Sequence, residues 1–265
     1  MIFHSSIEPV YFILPLVGFL IGLFGTMLGG GGGFFFLPIL TLLIGVPAQT
    51  AVITSLVAAL PICLVGALGH HRKTNVNLRI GLLFSVTGLV GAFVGARVTG
   101  MVSPEQLKAG FGVYSIFIAL SMVYGTLKKK RDEAGKSFQA EAPGWRRRAK
   151  GSVFGLLAGF ITGTFGTSGT APVLAGLFSM NIPFKLVIGT SLMVVLVNTL
   201  FAVGAHLLVG QIDLMLVYFL TAGSIAGAIL GPRILTRVKT DRSENKVRYL
   251  YAAVMVAIGV LMIVG

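Results

Sequence analysis

Two glycine-rich stretches are the places where this chain could do chemistry. The first reads Gly25-Thr26-Met27-Leu28, then glycine at every position from 29 to 33, then Phe34-Phe35-Phe36-Leu37-Pro38. The second reads Gly163-Thr164-Phe165-Gly166-Thr167-Ser168-Gly169-Thr170-Ala171-Pro172. A run of adjacent glycines cannot sustain a helix, each being worth about 1 kcal/mol less than alanine there. Backbone freed in this way exposes N–H groups, and with the positive end of a short helix behind them such groups form a site for a small anion. Gly30, Gly31 and Gly32 in the first break, and Gly166, Thr167, Ser168, Gly169 and Thr170 in the second, are therefore candidate binding residues. Thr170 and Pro172 read as a cap and a first-turn proline, which predicts a helix start there.

Polar residues inside apolar runs extend the candidate set. Thr54-Ser55 and Thr190-Ser191 read as the starts of corresponding helices, and Asn198 lies seven residues after Ser191, on the same helical face. All five could donate hydrogen bonds to the oxygens of a solute. His70 and His206 close equivalent helices and read as residues of the membrane interface rather than ligands. What is missing narrows the chemistry further. No Asp or Glu lies deep in an apolar run, whereas cation-coupled symporters usually hold carboxylates there, so the chain suits a negatively charged solute. Metal-ligand spacing, a nucleophile elbow and a P-loop are all missing, and the single cysteine, Cys63, sits in an apolar run. The expectation is a protein with no cofactor, no metal and no enzymatic activity.

The elements that must carry these residues follow from composition. The chain has 265 residues, 55% hydrophobic and 11% charged, with a mean hydropathy of +0.93. A soluble domain would need about a quarter of its residues charged, so most of this chain faces lipid or other apolar segments. Spanning helices need about 20 apolar residues. Runs of that kind lie near 10–28, 48–70, 78–100, 106–127, 151–165, 186–209, 214–236 and 247–265, and shorter ones at 34–44 and 171–180 follow the breaks. Alternating ten-residue segments of a β-barrel are not found. The first run lacks the basic leader of a cleaved signal peptide and is read as mature protein. The net charge of +13 would suggest a nucleic-acid partner in a soluble protein, but here it is read as a topology signal, with no nucleic acid involved.

The chain also repeats itself. A shift of 136 residues pairs Pro47 with Pro183, Thr54-Ser55 with Thr190-Ser191, His70 with His206, Gly91 with Gly227, Gly95 with Gly231 and Arg97 with Arg233. A shift of 137 pairs Gly18, Gly22, Gly29 and Gly32 with Gly155, Gly159, Gly166 and Gly169. The Gly-x-x-x-Gly elements at 18–22, 91–95, 155–163 and 227–231 are read as close helix contacts. If residues 10–44 and 151–180 each form a hairpin that enters and leaves on one side, three further crossings complete each copy. Of the 21 basic residues, only Arg97 and Lys108 then fall outside the cytoplasm, as the positive-inside rule favours. The expected fold is an all-α polytopic membrane protein of two inverted repeats, each a glycine-broken hairpin plus three transmembrane helices. Residues 1–127 form the first repeat, 128–150 a basic cytoplasmic linker, and 151–265 the second repeat, with both termini non-cytoplasmic.

With its two four-segment halves, the breaks GTMLGGGGGFFFLP and GTFGTSGTAPVL, the Thr-Ser pairs and the basic central loop, the chain resembles the sulfite exporter TauE/SafE-like family of membrane permeases. The resemblance implies movement of a small sulfur-containing anion, such as sulfite, thiosulfate or an organosulfonate, across the cytoplasmic (inner) membrane of a prokaryote. It carries the family's glycine-rich segments onto Gly29 to Gly33 and Gly166 to Thr170. The reading is then a secondary transporter, in the export direction, holding its anion between the two breaks with Thr54, Ser55, Thr190, Ser191 and Asn198 completing the cage. An anion-selective channel and a non-transporting membrane subunit are the alternatives. Membrane lipids are expected partners, and association into a homo-oligomer stays open.

Overall fold

A computed structural model describes residues 2–28, 32–132, 144–180, 182–207, 212–235 and 244–265. Among these the chain forms ten α-helices: α1 (Leu14–Leu28), α2 (Gly33–Pro38), α3 (Ala48–Arg72), α4 (Leu78–Thr99), α5 (Pro104–Asp132), α6 (Gly144–Phe165), α7 (Thr170–Phe178), α8 (Phe184–Leu207), α9 (Leu214–Leu235) and α10 (Glu244–Val264). One short parallel pairing, β1 (Ile2–Phe3) with β2 (Ile212–Asp213), ties the N-terminus to the foot of α9. Among the described residues six helical stretches are long and apolar enough to cross a bilayer. The protein is thus an all-α, multi-pass membrane protein.

Local chemistry sets several boundaries. Asn77 caps α4 by accepting from the Ile80 N–H at 3.2 Å. Ser103 and Gln106 close a reciprocal capping box at the start of α5, Gln106 Oε1 accepting from Ser103 N–H and Ser103 Oγ from Gln106 N–H. The helices also run past the expected ends of the central linker. Helix α5 continues to Asp132 and α6 begins at Gly144, because Lys, Arg and Ala are strong helix formers and a formed span templates further turns into water. The remaining linker residues, 133–143, lie outside the described set.

Packing explains why so many glycines are needed. A Cβ on Gly159 would sit 2.7 Å from the Gly88 Cα, and one on Gly91 2.7 Å from the Phe160 nitrogen. The α4 and α6 backbones are therefore in direct contact. The same holds for α1 and α9, where a Cβ on Gly227 would lie 2.7 Å from the Leu23 nitrogen. These small-residue contacts match the packing role read from the Gly-x-x-x-Gly spacing.

The pairings recur between the halves: α1 packs on α9 as α6 packs on α4, and α3 on α9 as α8 on α4. Their directions follow from the contacts. Gly18 and Gly22 meet Leu220 and Ser224 in that order, so α1 and α9 run parallel; Gly91 and Gly95 meet Leu156 and Phe160, so α4 and α6 do too. In contrast, Gly66 approaches Leu192 while His70 approaches Gly189. Ser115 bonds the Met255 carbonyl while Lys108 reaches the Gly265 carbonyl. Helices α3 and α8 are thus antiparallel, as are α5 and α10. Buried along most of their length, α3 and α8 form the centre of the bundle.

Candidate functional site

Each short helix springs from a left-handed glycine. Gly32 (φ +72°) precedes α2 and Gly169 (φ +53°) precedes α7, a conformation that disfavours any residue with a Cβ. These are the two glycines that the 137-residue shift pairs. The cap of α7 is therefore Gly169 and not Thr170, which is the first helical residue. Sequence spacing alone misassigned it because the turn is closed by backbone handedness, which leaves a hydroxyl cap redundant. Gly30 and Gly31 lie outside the described residues.

The two breaks touch. Gly33 N–H donates to Ser168 Oγ at 2.9 Å, across 135 residues of sequence. A hydroxyl that accepts one bond still has its own proton to give, so Ser168 can donate onward. Gly166 (φ +65°) lies against the backbone of Val52 on α3, and Ser55, one turn further along α3, shares that face. Thr167 and Ser168 are 2% and 3% exposed, and Thr54 and Ser55 are fully buried. The hydroxyls of Thr54, Ser55 and Thr167 and both polar atoms of Asn198 are enclosed without a hydrogen-bond partner. Buried polar atoms left this way are rare and ask for a ligand or water.

The predicted residues do not all converge. Thr54-Ser55 and Thr190-Ser191 lie about two turns inside α3 and α8 rather than at their starts. At 1.5 Å per residue and with α3 antiparallel to α8, the two pairs stand roughly 20 Å apart along the helix axes, Asn198 lying between them. One small anion cannot touch both pairs at once. Thr190 also has a structural task, its Oγ1 accepting from the Asn77 N–H at 2.9 Å. Asn198 presses on Gly88 of α4, whose missing Cβ leaves room for the carboxamide. Helix direction, which the residue spacing does not encode, separates the pairs.

Several contributors escaped sequence reading. Ser85, one turn before Gly88, is buried with its hydroxyl unpartnered. An aromatic wall closes the breaks on the side of α5: Phe34 lies 5.1 Å from Phe111, and Phe165 stacks on Tyr114 at 5.7 Å. Its only signal was Phe34-Phe35-Phe36 beside the glycines. The carbonyl end of α6 is held by Thr99, whose Oγ1 donates to Gly163 and Thr164 oxygens at 3.2 and 2.8 Å. His70 and His206, expected at the interface, lie in the last turns of α3 and α8 and are covered there by neighbouring helices, at 8% and 2% exposure. Among the described residues no group of three His, Cys, Asp or Glu side chains could hold a metal ion.

A multi-pass bundle with buried, uncharged hydrogen-bond donors around two broken helices defines a membrane transporter class, and the comparisons agree. The profile of the family described as Sulfite exporter TauE/SafE matches residues 14–262, and the chain belongs to that family. It is 28% identical over 225 residues to the probable membrane transporter protein YdhB of Bacillus subtilis (strain 168), covering 83% of this chain and 89% of that one. A probable membrane transporter protein of Xylella fastidiosa (strain 9a5c) is 26% identical over 250 residues, covering 94% and 91%. The probable membrane transporter protein MJ0441 of Methanocaldococcus jannaschii (strain ATCC 43067 / DSM 2661 / JAL-1 / JCM 10045 / NBRC 100440) is 23% identical over 266 residues, covering 95% and 94%. No solved structure matches.

Proposed function

We propose that this protein is a secondary transporter that moves a small sulfur-containing anion, such as sulfite, thiosulfate or an organosulfonate, across the cytoplasmic membrane in the export direction. The observation that carries this reading is the contact of the two breaks through Gly33 and Ser168, amid buried donors that lack partners. The anion sits at the second break, held by N–H groups of residues 167–170, by the Thr167 and Ser168 hydroxyls, and by Thr54 and Ser55, the Gly166 N–H being spent on the Thr162 carbonyl. Helix α7, nine residues long, aims its positive end there. Helix α2 contributes less, since its regular part spans only six residues before a π-type turn over Ile39–Leu43. Asn198 marks the middle of the path, and Thr190 and Ser191 serve the anion towards its other end, while Gly32 lies beside Gly33 where the two breaks meet. A site of neutral donors selects an anion without trapping it.

The two halves, 1–127 and 151–265, are inverted repeats around the cytoplasmic linker 128–150, and both termini are non-cytoplasmic. Antiparallel α3/α8 and α5/α10, with parallel α1/α9 and α4/α6, support this reading. Repeats of four full crossings each would run α3 and α8 the same way. Rocking of one repeat against the other then exposes the site alternately. Inversion is checked by labelling with a membrane-impermeant maleimide in a Cys63→Ala background. Lys73→Cys and Lys185→Cys should both react from the cytoplasmic side; reaction of Lys185→Cys only from the opposite side would rule inversion out.

Substrate class is tested by flux into proteoliposomes of sulfite, thiosulfate, sulfate, sulfoacetate and taurine. At least one sulfur anion should enter faster than into empty liposomes, and equal rates for all five would overturn the proposal. Ser168→Ala should weaken anion binding by about tenfold or more, since a hydrogen bond to a charged group is worth about 1.5–3 kcal/mol. Ser121→Ala, whose exposed hydroxyl bonds only the Phe117 carbonyl on its own helix, should leave uptake unchanged. Equal losses in the two variants would remove Ser168 from the site.

A further inference from the structure

Two buried imidazoles are left over by the anion site. His206 Nε2 lies 2.7 Å from the Gly163 carbonyl, at the end of α6 that leads into the second break. A ring nitrogen facing a carbonyl must carry a hydrogen, so in the neutral ring it is Nδ1 that can take up a further proton. His70 is its mate under the 136-residue shift. Both of its ring nitrogens are buried without a partner, which an inert packing residue would not require. Each histidine lies within one turn of the C-terminal end of its helix. Because α3 and α8 are antiparallel, the two rings stand at opposite ends of the bundle, His70 beside Gly189 and His206 beside Gly163. Between them the same two helices carry the unpartnered polar atoms of Thr54, Ser55, Asn198 and Thr199.

The charged and titratable groups around them are few. At the His206 end, α4 offers Arg97, exposed with its guanidinium 5.0 Å over the Phe93 ring. Asp213, at the foot of α9, is buried but its Oδ1 already accepts from the Ser5 and Met215 N–H groups. Lys108 of α5 is bonded to the Gly265 carbonyl, and the phenol of Tyr114 stacks on Phe165 of α6. At the His70 end stand His71, Arg72, Lys73, Arg79 and Lys185. The Cys63 thiol is the remaining titratable group of α3 within the core. Thiols and phenols ordinarily keep their protons at neutral pH, whereas imidazole exchanges them there.

We propose that movement of the anion is coupled to a proton, which is taken up and released by His206 and His70 at the two ends of the bundle. The ligand of this second site is the proton itself. Water delivers it to a ring nitrogen, the imidazolium offsets one negative charge while the anion occupies the nearby break, and the proton returns to water at the other end. Water hydrogen-bonded to Thr54, Ser55 and Thr199 provides the path between the rings. Each uptake breaks an O–H bond of hydrated hydronium and forms an N–H bond on the ring, and each release reverses this, so no other bond changes.

The coupling rests on the transporter reading above, and the test separates the two. Thiosulfate is the probe anion, because it is fully ionised at neutral pH and carries no proton of its own. Proteoliposomes hold a trapped pH dye, with the membrane potential clamped. In the wild type a thiosulfate gradient should drive saturable proton movement, and a pH gradient alone should drive thiosulfate accumulation. His206→Gln keeps an N–H donor for the Gly163 carbonyl but cannot titrate. In it, proton movement should fall by about tenfold or more while thiosulfate–thiosulfate exchange stays within about threefold of wild type. His70→Gln should behave alike, and retained exchange shows that each variant is folded. Should exchange also be lost, the wild type decides: accumulation driven by pH alone supports the coupling, and its failure overturns it. A wild-type proton-to-anion ratio retained in both variants overturns the assignment to these histidines. Thiosulfate movement with no proton movement overturns the coupling and leaves the transporter standing, whereas a wild type that moves none of the five anions overturns both.

Discussion

Gly166→Ala is expected to reduce transport to the background of empty liposomes while the protein still inserts and purifies. Gly166 has φ +65°, where an alanine is disfavoured by about 1–2 kcal/mol. The added methyl would also sit 2.8 Å from the Val52 Cα and closer still to the Val52 carbonyl oxygen. Both are backbone atoms, so no rotamer change relieves the overlap. Overpacking of this kind adds about 1–3 kcal/mol. Together the two effects disfavour the present shape of the break by about thirtyfold or more, at about 1.4 kcal/mol per factor of ten. The strain falls where α3 meets the second break, and it should appear in flux before it appears in stability. Wild-type flux in Gly166→Ala would mean that this turn takes no part in transport.

The second large effect is on the fold. Gly159→Leu should prevent recovery of a monodisperse protein, or lower its melting temperature in detergent by well over ten degrees, at about 4–8 °C per kcal/mol for a small domain and less for a larger one. A Cβ there would overlap the Gly88 carbonyl group, and the next atoms of a leucine would drive α4 and α6 apart. Gly163 on α6 and Gly91 and Gly95 on α4 meet the opposing backbone in the same way, so the seam opens along its length. Apolar side chains cannot compensate, because lipid solvates them as well as a neighbouring helix does; close backbone approach is what binds the two helices. Gly125→Leu on α5, with nothing within 4 Å of its Cβ position, is the control and should change little. Similar losses for both would show that added side-chain bulk anywhere on a helix, and not the seam, sets the stability, since leucine is the better helix former at either site.

Much of the architecture was legible along the chain. Partition of an apolar run into a membrane is a property of the run itself, so α3, α4, α8 and α9 could be located within a few residues from hydropathy. Gly32 and Gly169 could be paired by the repeat alone, and both turned out to start short helices from left-handed turns. The packing role of Gly18, Gly22, Gly91 and Gly95 was equally visible, since small residues four apart form a flat strip on any helix.

The individual tasks of the polar residues were not legible. Thr54 and Thr190 look alike in sequence, yet Thr190 accepts from Asn77 while Thr54 has no partner. His70 and His206 look like interfacial residues, yet both are enclosed, one bonded to Gly163 and the other unsatisfied. Ser168 could be chosen as a donor, but that it joins the first break by accepting from Gly33 could not. By itself, then, the sequence determined that the chain enters the membrane, which segments do so and where two of them must break, because each follows from the hydration and conformational preferences of neighbouring residues. Which donors face one another was decided by the tertiary structure, through the antiparallel α3 and α8 and the glycine seams that set their register. A hydrogen bond depends on ångströms between residues more than a hundred positions apart, and only the packed bundle sets that distance.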